Sequence, residues 1–148
     1  MTKKNIFIYA LIAFVVFVFV QSLPFKFRGD EETMIIFSTI ADWMSEIGLG
    51  FIAPTVKSLG GYIVGGIELV TSVLLIIPLT RRLGALIGLC VISGAIFFHL
   101  ATPLGVNRMI NTETLETDGG VLFFMACGVW VSCVLILWLT RQVGTKRA

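Results

Sequence analysis

LGGYIVGGIELVTSVLLIIPL, residues 59–79, is an apolar run with one charged residue, Glu68, near its middle. A membrane span needs roughly 20 mostly apolar residues, so this stretch reads as a transmembrane helix. A carboxylate at bilayer depth costs at least about 2.5 to 3.5 kcal/mol on insertion scales. Glu68 must therefore turn inward, where it is paired or protonated. Gly61, Gly65, Glu68 and Ser72 follow one another at steps of four, three and four, which places them on one helical face. Small residues at that spacing let backbones approach closely, so this face meets other helices rather than lipid.

Three further runs qualify as spans: 6–23, 83–101 and 121–139. With 57% hydrophobic and 14% charged residues over 148 positions, the chain is too apolar for an ordinary soluble domain. A single integral membrane domain over residues 1–148 is expected, all-α, built as a four-transmembrane-helix bundle. Pro78 and Thr80 mark a tight turn that makes the second and third spans antiparallel neighbours. Between Pro24 and Ser58 the composition turns polar. Ile36, Ile40, Trp43 and Ile47 recur there at helical spacing, which predicts a short amphipathic surface helix in the first external loop. Gly48, Gly50 and Pro54 then break the chain before the second span.

Lys3, Lys4, Arg81, Arg82, Arg141, Lys146 and Arg147, seven of the eleven basic residues, flank the spans on one side. The acidic residues gather on the other. The positive-inside rule then puts both termini in the cytoplasm. The first apolar run exceeds the 7 to 15 residues of a signal-peptide core, so it reads as a retained span. The net charge of +2 lies in connections without interleaved aromatics, which argues for membrane lipid and against nucleic acid as a partner. Cys90, Cys127 and Cys133 are odd in number, lie within spans and form no CxxC pair, so they read as small apolar core residues rather than a dithiol redox centre.

In the third span Gly84, Gly88, Ala95 and His99 share a face, so His99 also looks inward. The Gly84 to Gly88 step offers a close-packing face for a second copy in a homo-oligomer. Counting about 1.5 Å of rise per residue sets Glu68 roughly 12 Å below the outer boundary, level with Ser93 or Gly94. His99 and Asp118 fall at the outer rim, roughly 10 Å from that level. Together these residues outline a funnel in the outer half of the bundle. On a functional reading, Glu68, His99, Asp118 and Ser93 bind a ligand or handle protons. A carboxyl and an imidazole near one head group suit a quinone, whose reduction consumes protons. On a structural reading, Glu68 bonds to Ser93 or a carbonyl of a neighbouring helix, His99 is solvated, and Asp118 caps the fourth helix. No HxxxH or ExxH pair supports a metal site. No Ser/His/Asp or Cys/His arrangement assigns a catalytic nucleophile.

Several short motifs occur in order along the chain: Gln21-Ser22-Leu23-Pro24-Phe25-Lys26-Phe27, Ile36-Phe37-Ser38-Thr39-Ile40, Gly66-Ile67-Glu68-Leu69, Leu75-Ile76-Ile77-Pro78, Leu83-Gly84-Ala85, Ile92-Ser93-Gly94-Ala95-Ile96 with His99-Leu100, and Asp118-Gly119-Gly120 with Leu122-Phe123. In order and spacing the series resembles the DoxX-like family of small four-helix membrane proteins, over nearly the whole chain. The resemblance implies a four-helix bundle in the bacterial inner membrane; the chain itself carries no cofactor motif, so no intrinsic cofactor is expected. The resemblance also implies association with a redox enzyme subunit, since the family takes its name from a subunit of a thiosulfate:quinone oxidoreductase and relatives occur in oxidant-defence complexes. Other relatives act as membrane helpers in assembly or export. That leaves a second expectation open: a non-enzymatic scaffold that recruits a partner through the first external loop.

Overall fold

The computed structural model describes residues 3–111 and 113–144. Five helices and a small ribbon follow in the order α1 (Lys3–Arg28), α2 (Glu31–Glu46), α3 (Ala53–Ile76), α4 (Arg81–Ala101), β1 (Met109–Asn111), β2 (Glu116–Thr117) and α5 (Val121–Gly144). Helices α1, α3, α4 and α5 are each long and apolar enough to cross a membrane. They pack in a ring in which α1 and α4 each touch both α3 and α5. Tyr9 near the start of α1 lies under the Arg81 guanidinium at the start of α4, 4.9 Å from ring centre to carbon. Gln21 near the end of α1 donates to the Met125 sulfur near the start of α5, at 3.8 Å. The four long helices therefore alternate in direction.

Val15, Phe19, Leu75, Val129, Cys133 and Ile136 are fully buried between the four helices. Large apolar residues also cover the outside, Phe17, Val73, Leu86, Phe124 and Trp138 among them. A helix apolar all round is what a bilayer demands. Because lipid is as apolar as leucine, the helices are held by close packing. At Gly84 an added Cβ would stand 2.8 Å from the Leu75 nitrogen, and at Gly88 it would stand 3.2 Å from the Thr71 methyl and 3.3 Å from the Cys133 sulfur. The Gly84 to Gly88 step, read above as a face for a second copy, is thus used inside the bundle.

Three span boundaries differ from the sequence reading by five residues or more; one is the end of α5, at Gly144 rather than Leu139. Helix α1 runs through Pro24 to Arg28 rather than stopping at Leu23. Proline in a helix removes one backbone bond, and here the helix continues past that loss. It stops at Gly29, whose φ of 67° is open to glycine without strain, and the Asp30 N–H folds back on the Phe25 carbonyl at 3.1 Å. Helix α3 begins at Ala53 rather than Leu59, with Pro54 in its first turn, where no backbone N–H is required.

The polar stretch between these spans does contain a helix, α2, and it packs along α3. The Phe37 ring fills the notch at Gly60, and the Thr33 methyl sits against Gly61. Gly48, at φ 88°, ends α2 in the same way as Gly29 ends α1: the Leu49 N–H donates to the Met44 carbonyl at 2.8 Å. The described residues are all-helical in class, as expected, with one small addition. The loop after α4 forms a two-stranded antiparallel ribbon in which Met109 faces Thr117 and Asn111 faces Glu116. The polar character of residues 102–117 concealed it, because a ribbon this short has no alternating apolar face to betray it.

Candidate functional site

A cavity of about 600 Å³ lies between the helices at the α2 end of the bundle. Its walls are mostly apolar: Phe19 of α1, Ile36 and Ile40 of α2, Val64 of α3, Ile92 and Phe98 of α4. A volume of this size, apolar with a few polar groups, is typical of a small-molecule site. The polar groups come in two clusters.

The first cluster centres on Glu68, which is 6% exposed. Its Oε2 pairs with the Lys26 ammonium and lies 3.2 Å from the Ser22 hydroxyl. Lys26 also donates to Ser22 at 3.0 Å, while the Ser22 proton has a second acceptor in the Phe19 carbonyl at 2.8 Å. Ser22 and Lys26 stand four residues apart on α1, hence on one face. Gly65 makes the approach possible, since a Cβ there would meet the Phe27 ring at 3.1 Å and the Lys26 side chain at 3.5 Å. The extension of α1 past Pro24 is what brings the cation to the carboxylate. Glu68 is therefore an ion pair with an α1 lysine, and the expected bond to Ser93 is not made. Ser93 is exposed and accepts from the Trp130 indole N–H at 3.1 Å, on the side of α4 that meets α5.

The second cluster sits at the end of α4. His99 is 4% exposed, and its Nδ1 lies 2.6 Å from the Gly105 carbonyl. A carbonyl only accepts, so Nδ1 carries a proton, and a neutral His99 presents its Nε2 lone pair. The ring packs edge-on against Phe123. His99 is thus held by protein contacts rather than solvated at a rim. Arg108, 3% exposed, pairs with Glu32 of α2 and lies 3.4 Å from Asp118 Oδ2. Asp118 itself accepts from the N–H groups of Gly120 at 2.9 Å and Leu122 at 3.2 Å, which is the capping role at the start of α5. It is absent from the cavity wall and reaches it through Arg108.

Glu68 and His99 therefore line one cavity, Asp118 stands behind it, and Ser93 faces elsewhere. Sequence reading passed over Lys26, Ser22, Glu32 and Arg108. Lys26 and Ser22 lie within the motif at residues 21–27, and a buried carboxylate asks for a cation, so that signal was present. Arg108 in a polar loop gave none. Of the cysteines, Cys133 is buried, but Cys90 is exposed and lines the cavity, contrary to the core role expected for all three. Replacing Asp118 with Ala removes two capping bonds and one of the Arg108 counter-charges. We expect a loss of about 2 kcal/mol in thermal or denaturant unfolding, with Asp118→Asn intermediate; equal stability of Asp118→Ala and the parent would refute the capping role.

The ring of four apolar helices, each long enough to cross a membrane, defines a multi-pass membrane protein with an internal cavity. A family model described as DoxX matches residues 10–101, more than half of the chain, and the chain belongs to that family. Among curated proteins and among solved structures nothing matches significantly. The matched stretch carries Lys26, Glu68 and His99, while Arg108 and Asp118 lie beyond it.

Proposed function

We propose that this chain is a membrane subunit of a redox system that binds a quinone and its hydroquinone in the cavity, with the head group between the Lys26–Glu68 pair and His99. The observation that carries this reading is a pair of unengaged acceptors in one cavity wall. Glu68 Oε1 and His99 Nε2 take no hydrogen bond from the described residues. A hydroquinone carries an O–H donor at each end of its ring and gives up two protons and two electrons on oxidation. A carboxylate and a neutral imidazole are suitable acceptors for those protons. In the oxidised form the ring presents carbonyls instead. The Lys26 ammonium has three protons and uses two of them on Glu68 and Ser22, so the third can serve a carbonyl. The apolar walls suit the tail, and a partner redox subunit exchanges the electrons.

The same reading places the protein in a bacterial inner membrane with both termini cytoplasmic. Lys3, Lys4, Arg81 and Arg82 then mark the cytoplasmic end. The cavity falls in the outer half, and α2, with Glu31, Glu32, Asp42 and Glu46, lies at the outer surface. Loss of one charge-assisted acceptor is worth about 1.5 to 3 kcal/mol, so Glu68→Gln is expected to weaken hydroquinone binding about tenfold or more. The direct measurement is quinone retained by the purified protein, together with binding to the parent and to Glu68→Gln. Protein that retains no quinone, with quinone-dependent electron transfer in native membranes unchanged by Glu68→Gln, would sink the proposal. That outcome would favour a non-enzymatic scaffold that recruits a partner through the connection between α1 and α3. One observation favours the scaffold: Phe51 in that connection is 79% exposed.

A further inference from the structure

The cavity wall changes character around two of the helices. On α4, Ile92 and His99 are buried, Val91 and Phe98 are half-buried, and Cys90 is exposed, yet all five line the cavity. On α3 the lining passes from buried Glu68 through half-buried Val64 to exposed Ile63. At about 100° per residue, each series walks from the bundle centre to the outer surface. Towards the α3–α4 turn the same two helices are in contact, Gly84 against the Leu75 backbone and Gly88 against Thr71. They are therefore closed at the turn and parted by the cavity at the α2 end. Gly94 lines the cavity, but a Cβ there would meet nothing within 4 Å. At its α2 end the gap is bridged by α2, whose Phe37 packs on α3 at Gly60 and whose Trp43 ring meets Phe97 and Phe98 of α4; beside Ile63, Cys90 and Gly94 it is left as a slot on the surface that in a membrane faces lipid.

Charge narrows what fits. Lys26 is paired with Glu68, and Arg108 stands between Glu32 and Asp118, so two cations face three carboxylates. An anionic head group would add a fourth negative charge beside three carboxylates that only two cations hold, in a poorly solvated site. An uncharged head bearing hydroxyl or carbonyl oxygens would not.

We propose that the cavity is entered sideways from the bilayer, through the slot between α3 and α4, by a single-chain amphiphile with an uncharged head, whose chain then lies in the slot beside Cys90. The identity of the head rests on the hydroquinone reading above; the slot and the exclusion of anions rest on the geometry and charge of the walls.

Cys90 supplies the reporter in the unmodified protein. In phosphatidylcholine nanodiscs, its alkylation by N-ethylmaleimide can be followed peptide by peptide with three probes: a decyl-substituted benzohydroquinone, the tailless benzohydroquinone, and oleate. The decyl compound is expected to slow Cys90 alkylation several-fold. The tailless compound should compete with it for the head position while leaving the Cys90 rate unchanged, and oleate should do neither. Gly94→Leu projects a side chain into the slot. It should weaken the decyl compound about tenfold and leave the tailless one as in the parent. If both hydroquinones bind but the decyl compound leaves the Cys90 rate unchanged and Gly94→Leu binds it normally, the slot is not the route, and the head-group reading survives. If neither hydroquinone binds, the head-group reading fails and takes the proposal with it. Protection of Cys90 by oleate equal to that by the decyl compound would overturn the uncharged-head assignment.

Discussion

Lys26→Met is expected to be among the most destabilising single substitutions in this chain, costing about 3 to 5 kcal/mol as the breaking of a buried ion pair does. The reason is what it leaves behind. Glu68 keeps only Ser22 as a donor, in a wall where its side chain is 7% exposed. The cost lies in the stranded carboxylate, so removing that charge too should recover most of the stability. We expect Lys26→Met/Glu68→Gln to unfold close to the parent, giving a large coupling energy in a double-mutant cycle. Denaturant unfolding in detergent or nanodiscs reads all four corners of the cycle. Additive effects would mean that the two side chains do not depend on each other, and the site as described would be wrong. The double variant also separates stability from ligand binding: it should fold and yet bind hydroquinone poorly.

Gly84→Val should be comparably damaging for a different reason. Its Cβ would stand 2.8 Å from the Leu75 nitrogen and 3.0 Å from the Leu74 carbonyl carbon, both of them backbone atoms. A side chain can rotate away from a clash, but a helix backbone can yield only by moving α3 away from α4. Overpacking of this kind costs about 1 to 3 kcal/mol, and valine adds two methyl groups beyond the Cβ. Gly66→Ala provides the control. Nothing lies within 4 Å of that Cβ, and alanine is the better helix former, so its unfolding should match or exceed the parent's. A Gly84→Val protein as stable as Gly66→Ala would show that the two helices are not in contact at this point.

The spans were legible because long apolar runs leave few alternatives, and the small-residue face of the second span correctly announced helices close against it. Their ends were harder to read. Pro24, Lys26 and Arg28 have the composition of a loop, yet α1 includes them, because losing one backbone bond at Pro24 costs less than giving up the turn that carries Lys26 to Glu68. Helix α2 was legible from Ile36, Ile40 and Trp43, but its packing along α3 was not, since that depends on Phe37 finding the notch at Gly60. Within the site, Glu68 and His99 stood out as polar residues in apolar runs. Ser93 was matched to Glu68 by height alone. Rise per residue gives depth but not direction around the helix, and Ser93 points to Trp130. The buried Glu68 announced that a cation was needed, but it is paired with Lys26, and Arg108 with Glu32, across long stretches of chain, and no local pattern says which partner is met.

The glycine stops at Gly29 and Gly48 bear on how this protein can vary. At both ends of α2 the chain turns back and satisfies helix carbonyls from within, at Phe25 before the helix and at Met44 and Ser45 at its close. Apart from the bond of its leading Asp30 to the Phe25 carbonyl of α1, the segment therefore meets the spans through side chains. It behaves as a cassette: Ile36, Ile40 and Met44, which form one wall of the cavity, can be exchanged for other side chains while the four spans keep their own packing. Altered preference for the size or shape of a bound molecule can arise there without redesign of the transmembrane scaffold.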